Sequence, residues 1–252
     1  MESLEKIALR TAQLPSLPEL INDLQQLIDC NADLNVIADL LATDTSLTAQ
    51  VIELANSAFY GNQNISRIFD AVHLIGLNRI VLFVRTAYTV QLLKSIDGSV
   101  IDMREFWKRS YIAAITAQKL AVKINFPQPD TLYTAGLLMY IGRLILALLP
   151  EDFDRDAIQH HKLAASQLTL WNFPPVLIEA IGHMLKPSSS ADMYALPASI
   201  IHLTDLILNQ GKGELDEDAL LITDFSENEI INIAEEMMDL SSMKKNGRFR
   251  LS

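Results

Sequence analysis

The sequence predicts an all-α protein, on three observations. Apolar residues recur at spacings of three and four along most of the chain, the periodicity of one buried helix face. The periodic segments stop at Gly, Asn or Pro and restart at Asp, Ser or Pro, which are helix-stop and helix-start signals. No stretch reads as a strand.

In the first hundred residues, Leu17, Leu20, Ile21, Leu24, Leu27 and Ile28 line one face of a helix that ends near Asn31. Asp33 is placed to cap the next helix. Asp44 or Thr45 is placed to cap a third, which runs through Leu47, Val51, Leu54 and Ala55 and stops near Gly61. Ile65 to Leu74 reads as a short helix closed at Gly76, where a positive backbone φ favours glycine. Leu77, Ile80, Val81 and Val84 then continue an apolar helix toward Leu93, broken at Asp97-Gly98.

Asp102 with Glu105 three residues later opens the next helix as a capping box, and Ala113, Ala114, Ala117 and Ala121 give it a small-residue face for close packing. Phe126-Pro-Gln-Pro-Asp130 ends that helix and caps its successor. Ala135 to Leu146, A-G-L-L-M-Y-I-G-R-L-I-L, reads as one continuous helix before Pro150, with Gly136 and Gly142 admitting a neighbouring backbone. Further helices are expected from about Asp154 to Leu170, from Pro174 or Pro175 to Leu185, and from about Leu196 to Asn209, with a loop at Pro187-Ser-Ser-Ser190. From Glu214 to Asp239 there are ten carboxylates and no cation. Ser226 and Glu229 form another capping box there, and Leu221, Ile222, Phe225, Ile230, Ile231, Ile233, Met237 and Met238 supply an apolar face. We read 213–252 as an acidic helical extension and tail packed on the body; a detachable partner-binding helix is the alternative.

Half of the 252 residues are apolar, enough for a sizeable core, and the net charge is -11. No apolar run reaches the roughly 18 residues that span a bilayer, and the opening M-E-S-L-E-K is acidic where a signal peptide begins basic. A cytoplasmic location with no membrane partner is expected. The single cysteine, Cys30, cannot form an internal disulfide and reads as a buried or partly buried thiol. Asn35 to Asn56 has the look of a helix-turn-helix, yet no Lys or Arg occurs from Thr11 to Ser66, and a recognition helix needs cations to hold phosphates. DNA binding is therefore not expected there, and Lys244, Lys245, Arg248 and Arg250 read as a solvated tail. No G-x-G-x-x-G, Walker or G-x-S-x-G motif is present.

Taken together, the motifs resemble the HDOD family, an all-helical branch of the HD phosphohydrolase superfamily, over residues 13 to about 210. Leu14-Pro-Ser-Leu-Pro18 is similar to its opening signature, and Asp44 through Leu54-Ala-Asn-Ser-Ala-Phe-Tyr-Gly61 to its most distinctive motif. Ile65 to Gly76, Trp107 in F-W-K-R-S, Ala135-Gly-Leu-Leu with Ile141-Gly142, and Trp171-Asn-Phe-Pro174 continue it in order. The resemblance implies an N-terminal helical half, about 13–100, packed on an HD-like half, about 101–210, with the acidic helices following. Within the distinctive motif, Asn56, Ser57, Phe59, Tyr60 and Gly61 read as a helix terminus, in which small polar groups satisfy free backbone groups and the aromatic pair fills the junction.

HD hydrolases resemble one another in holding a divalent ion with a first His, a His-Asp pair and a later Asp. By that resemblance the four positions fall at Arg109, Met139, Tyr140 and Asp205, and Asp205 alone keeps its ligand type. A thioether and a neutral phenol bind a hard cation poorly, and an Arg repels it. We therefore expect no metal, no cofactor and no catalytic residue; that Arg109 pairs with Asp205 and fills the vacated site is one hypothesis. His160 and His183 mark a candidate pocket; convergence with Asp205 into a replacement metal site is the alternative. The resemblance also implies a signal-transduction module that acts on a signalling protein in trans or senses a small molecule or cyclic dinucleotide. A metal-dependent phosphohydrolase of nucleotides or cyclic dinucleotides and a nucleic-acid-binding regulator are the rival expectations.

Overall fold

The computed structural model describes residues 18–56, 64–94, 101–148 and 159–241, and every regular element among them is helical. Ser57, Phe59, Tyr60 and Gly61 of the distinctive motif, most of the opening signature, Asp97-Gly98, Pro150, the start of the helix expected at Asp154 and the basic tail lie outside the described residues. The chain divides into two compact units, one within 15–96 and the other from Asp97 onward.

The first unit is built from α1 (Glu19–Asp29), α2 (Leu34–Ala42), α3 (Thr45–Ala55), α4 (Ile68–Ile75) and α5 (Leu77–Lys94). Its core gathers Leu24, Leu47, Val51, Ile80 and Val84, whose spacing predicts the helix faces, together with Ile37, Leu41 and Val72. The caps fall where expected: Asp33 accepts from the Asn35 N–H and Asp44 from the Leu47 N–H, each satisfying a donor that the first turn leaves free. Tyr88 also donates to the second oxygen of Asp44 at 2.7 Å, so the turn between α2 and α3 is tied to α5. α4 starts at Ile68, three residues later than the pattern suggests, because Ile65 is held in a non-helical bridge with Asn56. Gly76 separates α4 from α5 with φ +88°, which a side chain rarely adopts. Cys30 is exposed, contrary to expectation, because it follows the last turn of α1 and not its apolar face.

The second unit begins with α6 (Met103–Lys123), whose cap Asp102 accepts from the Arg104 and Glu105 N–H groups. α7 (Pro129–Leu138) lies along it. A Cβ on Gly136 would stand 2.6 Å from the Ala113 carbonyl oxygen, so only glycine permits this approach of two backbones. Asp130, expected as a cap, lies inside α7, because Pro129 takes the first helical position, where its missing N–H costs nothing. The expected continuous helix breaks at Met139-Tyr140, and α8 (Ile141–Leu148) follows. The break has a packing reason: Gly136 is pressed on α6, whereas Gly142 is pressed on the His160 backbone of α9 (His160–Leu170), so the two segments are keyed to different neighbours.

α10 (Pro175–Gly182) stops before the expected Leu185, a 3-10 turn covers Pro187–Ser189, and α11 (Asp192–Leu208) forms the buried centre of the unit. α11 starts four residues earlier than expected and accommodates Pro197; the hydrogen bond this forfeits would fall on the carbonyl of the exposed Met193. The acidic extension forms α12 (Glu217–Thr223) and α13 (Glu227–Ser241). The Ser226–Glu229 capping box is present with reciprocal bonds, and Phe225, Ile230, Ile233 and Met237 are buried; Leu221, expected on that face, is exposed. Lys119 pairs with Glu236, and Lys123 with Glu229 at 3.0 Å, which joins α13 to α6.

Candidate functional site

Arg109 lies two turns into α6, Tyr140 at the break between α7 and α8, and Asp205 in the last turns of α11; the packing of these helices brings the three together. Tyr140 is 1% exposed and donates its hydroxyl hydrogen to Asp205 Oδ1 at 2.7 Å. The same hydroxyl oxygen accepts from Arg109 Nη2 at 3.2 Å, and Arg109 Nη2 also donates to Asn209 Oδ1. Burial first, and the charge of Asp205 second, push the Tyr140 phenol well above its ordinary range, so it stays protonated and can donate. The guanidinium carbons of Arg109 and Arg143 lie 4.8 and 4.7 Å from the Tyr140 ring centroid, both within cation–π range. Met139 is fully buried.

This geometry corrects one expectation. Arg109 does not pair directly with Asp205; Tyr140 stands between them, and the second partner of Arg109 is Asn209. Asn209 was not singled out from the sequence. It lies four residues after Asp205, hence on the same helix face, which is the signal that could have found it.

The four positions Arg109, Met139, Tyr140 and Asp205 offer a divalent ion no set of free donors. One oxygen of Asp205 is bound by Tyr140, a guanidinium occupies the neighbouring hydrogen-bond position, and Met139 offers a thioether alone. These residues do not fit a hard cation, which needs several free oxygen or nitrogen donors on one face. Among the described residues no group of three or more His, Cys, Asp or Glu is placed to hold a metal ion, so His160, His183 and Asp205 do not converge as the replacement site requires.

The histidines instead form a chain beside the network. His160 opens α9 and meets the ring of His161 edge to face, with centroids 5.7 Å apart. Burial first, then the charge of Arg143, pushes His160 down to about 4; burial, then His160, Lys162 and His183, does the same to His161. His183 closes α10 with its Nε2 3.7 Å from Glu179, and burial lowers its pKa also. The ring Nδ1 atoms of His160, His161 and His183 are buried without hydrogen-bond partners. His161, Arg143 and His202 belong to no motif in the sequence and are placed here by the fold alone. His202 accepts the Asp216 N–H on Nε2 at 3.0 Å, so its Nδ1 carries the hydrogen and donates to the Met184 carbonyl at 2.8 Å. This neutral imidazole fastens the start of the C-terminal extension to the core.

In the first unit, of Asn56, Ser57, Phe59, Tyr60 and Gly61 it is Asn56 whose placement is described. Its side chain accepts from the Ile65 N–H at 2.6 Å and donates to the Ile65 carbonyl at 2.7 Å, tying the end of α3 to Ile65 as a backbone strand pair would. The helix-turn-helix look of α2 and α3 resolves into two packed helices, with Ile37, Leu41, Leu47 and Val51 buried.

Comparison with known proteins places these observations in a family. The HDOD domain model matches residues 14–157. An uncharacterized protein of Treponema pallidum (strain Nichols) is 26% identical over 206 residues, covering 78% of this chain; the chain spans only 38% of that relative. Among solved structures, a Shewanella amazonensis SB2B protein provisionally named a phosphohydrolase is similar with TM-score 0.63 and 23% identity, over 95% of this chain and 89% of that one. An HDOD domain protein of unknown function from Geobacter sulfurreducens matches with TM-score 0.59 and 21% identity, over 93% and 97%. A Marinobacter aquaeolei VT8 protein provisionally named for signal transduction matches with TM-score 0.62 and 21% identity, over 92% and 60%. At these identities the likeness shows the fold. No helix among the described residues is long and apolar enough to cross a membrane.

Proposed function

Because the chain belongs to the HDOD domain family, we propose that it is a non-catalytic bacterial signal-transduction module, working by protein–protein interaction or ligand sensing on a signalling protein in trans. The observation that carries this reading is the Arg109–Tyr140–Asp205 network. It occupies the positions where the resemblance implies metal ligands and commits the remaining carboxylate to a protein hydroxyl, so the water-activating ion of an HD hydrolase has no ligand set. A phosphohydrolase reading draws on the provisional name of the Shewanella protein, and nucleic-acid binding would need cations that α2 and α3 lack.

The test is direct. Protein purified after growth with manganese, iron and zinc is expected to carry no stoichiometric metal, to leave a panel of nucleotides and cyclic dinucleotides intact, and to crosslink in its native cell to a signalling protein. Stoichiometric metal together with turnover of any member of the panel would overturn the reading.

A further inference from the structure

We propose that the outward face of α6, a stripe through Tyr111, Ile115 and Val122, is a self-association surface on which a second copy of this chain docks its own α6 antiparallel. The stripe lies on the opposite side of α6 from Arg109, whose side chain enters the network with Tyr140.

The 21 residues of α6 bury one side of the helix, with Ala113, Ala117 and Leu120 among the buried residues. Tyr111, Ile115, Gln118 and Val122 follow one another at spacings of four, three and four, so they form one continuous stripe on the other side. Tyr111 and Val122 are each 55% exposed, and Ile115 between them is half-buried. A single apolar side chain in water needs no explanation, but a stripe of them along one helix is what an association surface presents.

Charge along the stripe selects the occupant. Toward the start of α6 the same face continues through Arg104 and Lys108, both exposed and neither in an ion pair among the described residues. Even with Glu105 counted, which points to one side, this half is net positive. Toward the end of α6 three carboxylates flank the stripe. Glu229 and Glu236 of α13 bind Lys123 and Lys119 on one side, and Asp130 of α7 accepts from Gln118 at 3.1 Å on the other. Three carboxylates against two lysines leave this half net negative. A stripe with opposite charge at its two ends is complementary to itself when turned end for end. In a two-fold pair the cationic half of each copy meets the carboxylate-flanked half of the other, and Tyr111 of one copy meets Val122 of the other. A parallel pair would set like charges together, and a polyanionic or polycationic partner would be repelled by one half. From Arg104 to Val122 the stripe is about 27 Å long at 1.5 Å per residue. An interface one helix wide belongs to the small, reversible class.

The experiment is sedimentation velocity of the full chain over a concentration series, with disulfide trapping to fix the register. A reversible monomer–dimer equilibrium is expected between about 10 μM and 1 mM, weakening as salt rises because the charged groups are exposed. V122E, and separately R104E with K108E, should weaken association tenfold or more. M193Q, which alters an exposed apolar side chain elsewhere, should not. All of these positions are exposed, so each variant should keep the thermal midpoint of the parent. Cys30 is exposed and is first removed by C30S. In that background a mixture of Y111C and V122C chains should crosslink well above either alone, because like positions stand about 16 Å apart along the helix, beyond the roughly 7 Å a disulfide can bridge. A chain that stays monomeric up to about 1 mM would overturn the proposal, whether or not another protein covers the face. So would dimers indifferent to V122E, or Y111C chains that crosslink alone as readily as the mixture.

Discussion

Tyr140 donates its hydroxyl hydrogen to Asp205 across 2.7 Å, at the point where a residue that resembles a metal ligand would otherwise face an ion. The phenol therefore does for Asp205 what a cation would do: it satisfies an oxygen of a buried carboxyl group. It also joins α11 to the break between α7 and α8.

Replacing Tyr140 with Phe keeps the ring and both cation–π contacts but leaves Asp205 Oδ1 and Arg109 Nη2 each one partner short. The expected loss is about 1–3 kcal/mol of stability, the cost of an unmet buried polar group. Denaturant unfolding of Y140F against the parent measures it; unchanged stability would mean that water replaces the hydroxyl at no cost.

Reinstating the ligand types tests the positional reading. A triple variant carrying R109H, M139H and Y140D, with Asp205 retained, should gain manganese or zinc binding and be stabilised by it, by about 2.7 kcal/mol at a hundredfold excess over Kd. The parent protein should show no such gain. If the triple variant is unfolded without metal, recovery of helical ellipticity on metal addition gives the same answer, and equal responses of both proteins would refute the assignment.

Gly142 should tolerate no side chain. A Cβ there would stand 1.8 Å from the His160 carbonyl oxygen, so G142A must separate α8 from α9 and should cost about 1–3 kcal/mol or more. A thermal midpoint within a degree of the parent would contradict the close contact.

Asn56 should be needed for stability and not for ligand chemistry. N56A loses both bonds to Ile65 and should cost about 1–3 kcal/mol. N56D keeps the acceptor for the Ile65 N–H, loses the donor to the Ile65 carbonyl and should fall between. A ranking with N56D equal to N56A would show that the donor half alone matters.

Stability should fall on mild acidification. His160 and His161 are pushed from 6.5 to about 4 in the folded chain, and His202 is lowered too, in each case chiefly by burial. Between the unfolded and folded values the unfolded chain binds more protons, so the stabilising contribution is complete above pH 6.5 and declines as pH drops toward 4. Unfolding measured across that interval should show a slope that flattens in a variant carrying H160Q and H161Q. A slope identical in the two proteins would place the titrating groups elsewhere.

Much of the local structure was legible from neighbouring residues. The caps at Asp33, Asp44 and Asp102, the Ser226–Glu229 box and the glycine contacts at 136 and 142 obey rules that span a few residues or one side chain's size. Most of the errors have a common cause. The break at Met139-Tyr140, the late start of α4 and the exposure of Leu221 each depend on a contact, or the lack of one, with another segment, whereas Cys30 is exposed because α1 ends one residue before it.

The candidate site divides in the same way. Residue types alone settled that three of the four ligand-like positions, Arg109, Met139 and Tyr140, offer a cation, a thioether and a phenol, because donor chemistry belongs to the side chain and not to its surroundings. Which partner each group takes was decided by tertiary packing. Tyr140 lies 65 residues from Asp205 and 31 from Arg109, and Arg109 lies 100 from Asn209; no periodicity reaches that far. Burial made those pairings binding, because a polar group removed from water must bond whatever the fold sets beside it.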